Sequence, residues 1–313
     1  MSVYTEVNSS QLKQFFSYYT LGEVISFEGI EYGINNTNYF VDTTQGRFVL
    51  TLFETLSISE IPYFTQLLSY LAKNDISCPE PQSDQSGQLL RQLNNKPAVL
   101  FKRLSGTAIS TPSIEHCQEI GYQLAKVHGC TQNYAFPIGN SHDLNGFIAL
   151  AEKIDSQLST LDRVLIQDEL LFQAAHNMND LPLGVIHGDL FRDNVLFLNK
   201  KVSGILDFYS AFTGILLLDV AITVNDWCHE NDQLNSEKIK TLLSAYQTLR
   251  PLLTCEKQHW PILLRASALR FWLSRLEHQI YPRPGNLILQ KDPLQFRQLL
   301  QQHRLNFSVN SIL

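Results

Sequence analysis

The chain has 313 residues, a formal net charge of -6, 44% hydrophobic residues and 17% charged ones. That is apolar material for two average domains or one large bilobal one, and it excludes global disorder. The acidic balance excludes a general attraction to nucleic acid or to an anionic membrane, so an anionic ligand has to be met by a few placed donors or a metal ion.

Residues 1–10 are polar and lack a basic start followed by an apolar run, so no signal peptide is expected. The apolar stretch 211–224 is broken by Asp219 and is too short to span a bilayer. Five scattered cysteines (Cys78, Cys117, Cys130, Cys228, Cys255) without C-x-x-C spacing point to a reducing cytoplasm. In chain order, 23–29 and 37–42 alternate as strands, and Gly46 closes a hairpin into a third strand over 47–53. An apolar stripe of Ile61, Phe64, Leu67 and Leu71 predicts a helix over 61–73. Two more strands are predicted over 87–91 and 97–104. Ser105-Gly106 reads as a linker. Beyond it the pattern turns helical: a helix opened by Thr111-Pro112, then helices over 143–157, 162–177, 236–249 and 258–280. The only clear β segment there is 184–208. The expected fold is α+β, with a small antiparallel β lobe over 1–104 and a larger helical lobe over 105–313. The junction of two such lobes is a preferred place for a ligand cleft.

The stretch 185–198, Val-Ile-His-Gly-Asp-Leu-Phe-Arg-Asp-Asn-Val-Leu-Phe-Leu, sets polar groups on a short loop between two apolar strands, and 202–208 returns as Val-Ser-Gly-Ile-Leu-Asp-Phe. Pairing Leu198 with Ser203 across the intervening turn would set Asn194 opposite Asp207, beside the loop that carries Asp189. Three oxygen donors at one loop mouth suit Mg²⁺, which takes a few protein ligands and completes its shell with phosphate oxygens and water. An acid left off the metal can orient a hydroxyl and accept its proton. Each residue alone would read as turn chemistry. Together, H-x-D-x-x-x-x-N followed by a hairpin and Leu-Asp-Phe matches the catalytic loop and metal-binding aspartate of kinase-type phosphotransferases. A zinc hydrolase built on His187 lacks further histidines at ligand spacing, and no G-x-x-x-x-G-K-[ST] loop is present.

With Gly188 inside it, this pattern resembles the aminoglycoside/choline kinase branch of the protein-kinase-like fold. Further blocks resemble the homoserine kinases of that branch: Val3-Tyr4-Thr5, Phe27-Glu28-Gly29-Ile30, Gly33 with Asn36 and Asn38, Gly46 to Leu52, Asp219-x-Ala221, Asn225-x-Trp227, Tyr246-Gln247 with Arg250-Pro251, Ala268 to Phe271, and Lys291-Asp292-Pro293-Leu294. The resemblance covers almost the whole chain. It implies a bilobal fold and ATP-dependent phosphorylation of the L-homoserine hydroxyl, with ATP and Mg²⁺ as cofactors. The rivals are phosphorylation of an amino alcohol or aminoglycoside, and an inactive kinase-like binding module.

By the same resemblance Asp189 is the catalytic aspartate, Asn194 and Asp207 the metal ligands, and His187 a brace of the loop. Asp219 tethers that loop from a following helix. Gly33, Asn36 and Asn38 cover the nucleotide, and its base lies at the hinge near Phe101 and Leu104. Two departures stand out. The strand position that usually carries a phosphate-binding Lys is Thr51, with Arg47 and Lys102 the nearest candidate replacements, and the usual partner acid on the next helix matches Ser69. Arg192 stands where Pro is more frequent, and either contacts the γ-phosphate or faces solvent. For the acceptor, Arg270 in an apolar helix is a carboxylate clamp or half of a structural ion pair. Asp226 and Glu230 are ammonium partners or a solvated helix end. Tyr209 and Trp227 are pocket walls or core.

Overall fold

The computed structural model describes residues 3–30, 36–132, 134–136, 139, 143–282 and 291–306. Their contacts divide them into two compact units. One runs up to Gly106 and adds Ser203–Leu206; the other holds Thr107–Val202 and the described residues from Asp207 onward, apart from those of the first unit.

The first unit begins with helix α1 (Ser9–Phe16), absent from the sequence expectation and closed by a reciprocal cap between Asn8 and Gln11. Strands β1 (Val24–Gly29), β2 (Asn36–Thr43) and β3 (Gly46–Phe53) follow. Then come helix α2 (Ile61–Lys73) and strands β4 (Arg91–Leu93) and β5 (Lys96–Lys102). The five strands pair antiparallel in the order β1-β2-β3-β5-β4. Because side chains alternate along a strand, Val41, Phe48, Leu50, Leu52, Ala98 and Leu100 share one face and pack on Leu12, Phe15 and Phe16 of α1. The opposite face carries Asn38 and Thr51, cross-strand partners whose side chains bond at 2.7 Å. The N-terminal segment is tied to the sheet: the Tyr4 and Thr5 amides donate to Thr37 Oγ1, and both threonine hydroxyls donate to Glu54.

The strand predicted over 87–91 begins only at Arg91. The preceding turn is closed on the Asp84 carboxylate, which accepts from the Ser86 and Gln88 amides and from Arg91 Nε. Such side-chain bonds take the place of a ladder. Segment Ser203–Leu206 belongs to this unit through Ser203 Oγ donating to Ser105 O and the Ile205 amide donating to Ser77 O.

The second unit contains helices α3 (Ile114–Thr131), α4 (Leu144–Ile154) and α5 (Thr160–Ala174). Strands β6 (Leu183–Ile186), β7 (Val195–Leu198), β8 (Lys201–Ile205) and β9 (Phe212–Ile215) come next, with the end of β8 passing to the first unit. They are followed by α6 (Leu216–Trp227), the short ribbon β10 (His229–Glu230) and β11 (Gln233–Leu234), α7 (Ser236–Gln247), α8 (Thr254–Ile280) and α9 (Pro293–Leu305). Helix α3 starts at Ile114 and not at Thr111-Pro112, because Ser113 and His116 cap its first turn reciprocally. β6 pairs antiparallel with β9, and β7 with β8. Helix α6 has no exposed face: all twelve of its residues are buried. It packs against α8, while α3 packs against α7 and α8 against α9.

Asp84 gives a measurable handle on the first unit. Burial opposes its ionisation, but the Gln88 and Ser86 donors and Arg91 outweigh that and hold its pKa at about 2. The unfolded chain therefore binds more protons between about pH 2 and the ordinary carboxyl value. The resulting stability is complete above that value and is lost as pH falls through the folded one. Asp84→Asn is expected to lower the Tm at pH 7, and the gap to wild type should narrow as pH drops from 4 towards 2. A gap that stays constant would contradict this account.

Candidate active site

The loop after β6 is held by a carboxylate from the middle of the unit. Asp219, fully buried on α6, accepts the His187 amide at 2.7 Å and the Gly188 amide at 2.9 Å. Burial alone would raise its pKa, but the hydrogen bond and charge of His128, the charge of His187 and the Gly188 amide hold it below the ordinary carboxylate range. His128 Nε2 lies 3.1 Å from Asp219 Oδ2, and its Nδ1 meets the Tyr246 hydroxyl at 2.7 Å. Arg250 Nη1 in turn donates to that hydroxyl. The sequence reading found the Asp219 tether but assigned nothing to His128 or Tyr246. The available signal was a lone histidine on the apolar stripe of α3 facing a lone acid in the most apolar segment of the chain.

Helix α6 grips the same loop again two turns later. Trp227 Nε1 donates to Leu190 O at 2.9 Å, and Asp226 Oδ2 accepts the Arg192 amide at 2.8 Å. The Arg192 guanidinium returns to Asp226, to its carboxylate and its carbonyl, and reaches Ser110 O. The two attachments thus come from positions seven residues apart on one helix, about 10 Å of rise. Gly188 is required at the first bend: its φ is +74°, and a Cβ there would sit 2.8 Å from Ser210 O.

What this scaffold presents is Asp189, half-buried. Its amide donates to His187 Nδ1, whose ring stacks on Phe208 at 4.6 Å. Asn194, on the short turn Arg192–Asn194, donates from Nδ2 to Asp189 O at 2.9 Å and to Asp189 Oδ2 at 3.2 Å. Asp207 follows β8 in a left-handed conformation, φ 58° and ψ 49°, a strained choice of the kind that persists where the surroundings enforce it. Burial, reinforced by Asp207, pushes Asp189 up to about 7 against the opposing charges of Lys291 and Arg270. Asp207 is likewise raised, by burial first, with His187 opposing and Asp193 adding.

Two acids whose ionised forms are disfavoured, chiefly by burial, would each be stabilised by a further positive charge. The donor set suits a hard divalent cation: Asp207 offers carboxylate oxygens, and Asn194, its nitrogen committed to Asp189, offers Oδ1. Among the described residues no group of three or more His, Cys, Asp or Glu side chains could hold a metal alone, so such an ion would depend on oxygens from a ligand. Arg270 of α8 is 5% exposed, and its Nη1 has no hydrogen-bond partner among the described residues. Its cation lies 4.9 Å from the Phe271 ring and 5.6 Å from Phe212. Burial pulls its pKa down to about 10, with Asp189 and Asp219 opposing. Arg265, five residues earlier on α8, is paired with the buried Glu169; Arg270 has no such ion pair among the described residues.

Several expectations change. Arg192 neither faces solvent nor is available for a phosphate, because Asp226 and backbone carbonyls occupy it. For the same reason Asp226 is not an open ammonium partner. Trp227 is fully buried and braces Leu190 instead of lining a pocket. Glu230 lies past the helix end, in β10, paired with Lys238 at 3.1 Å. Tyr209 is half-buried, two residues beyond Asp207. In the first unit, Gly33 lies outside the described residues. Asn36 is buried with Oδ1 unpartnered among the described residues, and Asn38 accepts from Thr51. Arg47 is exposed beside the hairpin turn, on the Thr51 face. Lys102 opposes Phe48 and so shares the α1-facing side, away from Thr51. Phe101 is buried in β5, Leu104 backs onto Gly204, and Ser69 is half-buried on α2.

A model of the phosphotransferase enzyme family matches residues 26–252. The homoserine kinase of Methylobacillus flagellatus is 42% identical over 302 residues, covering 96% of this chain and 95% of that protein. The homoserine kinase of Agrobacterium fabrum is 38% identical, covering 97% and 96%. Among solved structures, a microcompartment-associated aminopropanol kinase superposes with a TM-score of 0.69 at 16% identity, over 98% of this chain and 99% of that one. An ethanolamine kinase of Plasmodium vivax superposes with a TM-score of 0.65 at 12% identity, over 91% and 84%. These last two show a common protein-kinase-like fold.

The glycine at the loop bend is testable by comparison with another. Gly87 shares the left-handed φ but has nothing within 4 Å of an added Cβ. Gly87→Ala is expected to cost about 1 kcal/mol in urea unfolding, and Gly188→Ala at least about 2 kcal/mol, because the Ser210 carbonyl must move as well. Equal costs would mean that the close approach at Gly188 carries no weight.

Proposed function

The chain belongs to the phosphotransferase enzyme family, and from that membership we propose that it is a homoserine kinase, transferring the γ-phosphoryl group of ATP to the side-chain hydroxyl of L-homoserine. The products are ADP and O-phospho-L-homoserine, a precursor of threonine. The observation that carries the acceptor choice is Arg270: a buried guanidinium whose charge is felt at Asp189 and whose Nη1 has no hydrogen-bond partner among the described residues. Such a group suits a carboxylate-bearing acceptor and opposes a purely cationic amine. Among the described residues no helix is long and apolar enough to cross a membrane, and we place the reaction in the cytoplasm.

In this reading Asp189 orients the homoserine hydroxyl and accepts its proton as the oxygen attacks phosphorus. The bond between phosphorus and the β–γ bridging oxygen breaks in line with the attack. Asn194 holds Asp189 in that orientation through its two hydrogen bonds. Asn194 Oδ1 and Asp207 would hold Mg²⁺, which when bound offsets the charge of the ATP phosphates. Arg270 binds the homoserine carboxylate, and Tyr209 stands beside Asp207 as a wall of the acceptor pocket. The first unit would supply nucleotide contacts, with Asn36, whose buried Oδ1 has no partner among the described residues, as a candidate and the base near Phe101 and Leu104. Asp219, Trp227 and Asp226 touch none of the reacting atoms; they keep the loop in place, and most of the rate enhancement comes from that positioning and from electrostatics.

The test is an acceptor panel of homoserine, choline, ethanolamine and an aminoglycoside, read as ADP release. Homoserine should give the highest kcat/KM, and Asp189→Asn should lower kcat by about 10²–10⁴-fold. Turnover of a cationic acceptor without homoserine turnover would overturn the assignment. Arg270→Met should raise the homoserine KM by about 10–100-fold, from the loss of a charged hydrogen bond. Its thermal stability should be unchanged or higher, because the substitution removes a buried charge that forms no ion pair among the described residues. A drop in Tm with KM unchanged would make Arg270 structural.

A further inference from the structure

Transfer of a phosphoryl group gathers charge on its peripheral oxygens, and a fixed cation there lowers the barrier. Kinase-like folds usually hold the α/β-phosphates with a strand Lys; the matching position here is Thr51, which brings no charge and whose hydroxyl is spent on Asn38. In the second unit the cations around Asp189 can be sorted by what already holds them. Arg192 is taken up by Asp226. Arg275 Nη1 donates to Asp292 O at 2.8 Å and to Gln295 Oε1 at 2.9 Å. Arg270 is buried between aromatic rings. The fourth is Lys291.

We propose that Lys291 is the cation that meets the transferring phosphoryl group. Its Nζ sits 2.6 Å from Asp193 Oδ2 and 4.9 Å from the centre of the Phe191 ring. The ammonium is thus fastened at two points to the loop that carries Asp189 and Asn194. Asp193 takes one of its three donors, and the aromatic face takes charge but no donor. The Lys291 side chain is 43% exposed, so turning towards an incoming anion costs little desolvation. Its backbone is steadied next door: Asp292 caps α9 by accepting the Leu294 amide, and Arg275 holds the Asp292 carbonyl.

Lys291 is bonded to the loop that carries Asp189 and Asn194, whereas Arg270 reaches in from α8 between Phe271 and Phe212. The inference rests on the kinase reading above.

The test compares full-length wild type with Lys291→Met, Lys291→Ala and Lys291→Arg, each checked for folding by circular dichroism. Binding of ADP and of a non-hydrolysable ATP analogue is measured without acceptor, then steady-state kinetics with ATP and homoserine. For Lys291→Met, kcat should fall about 100-fold with the homoserine KM within about threefold. ADP affinity should be unchanged and the ATP analogue bound about tenfold more weakly. Lys291→Arg should keep most of the activity, and propylammonium should restore part of the kcat lost in Lys291→Ala, which a residue that only packs the C-terminal segment would not allow. A raised homoserine KM with kcat preserved would assign Lys291 to the acceptor carboxylate and overturn the proposal. So would unchanged kinetics, or equal losses in ADP and analogue binding. If the wild type does not use homoserine, the functional reading fails, while the ADP-against-analogue comparison still decides Lys291.

Discussion

The site depends on one buried carboxylate. Asp219 has no contact with solvent, yet its two oxygens accept the consecutive amides of His187 and Gly188 and face His128. A buried anion is tolerated only with such a full complement of donors. The arrangement works in both directions: the loop's amides satisfy the acid, and the acid fixes the bend that exposes Asp189. Because α6 is covered on every side, it cannot shift without opening the core of its unit. Its second grip, at Leu190 and Arg192, then leaves the loop little latitude. Asp189 sits at the end of a rigid chain of contacts, hydrogen-bonded through the loop to α6.

Charge is used sparingly in this molecule, and its distribution follows function. Ion pairs such as Arg265 with Glu169 and Arg250 with Glu256 are buried and matched, as interior charges have to be. Around Asp189 the matching is less complete: burial outweighs the charges of Lys291 and Arg270, and Arg270 Nη1 has no hydrogen-bond partner among the described residues. Unmatched charge in a folded chain is a cost that a ligand of the opposite sign can relieve, which makes such places the natural ones to look for substrates.

Much of this could be read from the sequence, and the reasons differ by feature. The strands of the first unit and helix α2 follow from periodicity, which needs no partner to be recognised. The motif loop is legible because its residues are close in sequence and their chemistry is joint. Helix α1 escaped because its apolar residues Leu12, Phe15 and Phe16 are few and its polar face dominates. Thr111-Pro112 and 87–91 were misassigned because a cap at Ser113 and a turn on Asp84 overrode local propensity. For Arg192 and Asp226 neither of the expected roles holds, and for Trp227 the core alternative does, for one cause: their partners lie 34–37 residues away, and no pattern in the sequence says which group meets which. Arg270 stands out in the sequence as a charge in an apolar helix, but whether an acid answers it is a question only packing can decide.

The pairing of Arg192 with Asp226 has a consequence for how such chains diverge. Where related enzymes carry Pro at the Arg192 position, both donors would vanish together, since Pro has neither an amide hydrogen nor a guanidinium. Asp226 would be stranded as a largely buried carboxylate. Neither residue can change alone without leaving the other uncompensated: a charge lost at one end of the pair strands the other inside the fold.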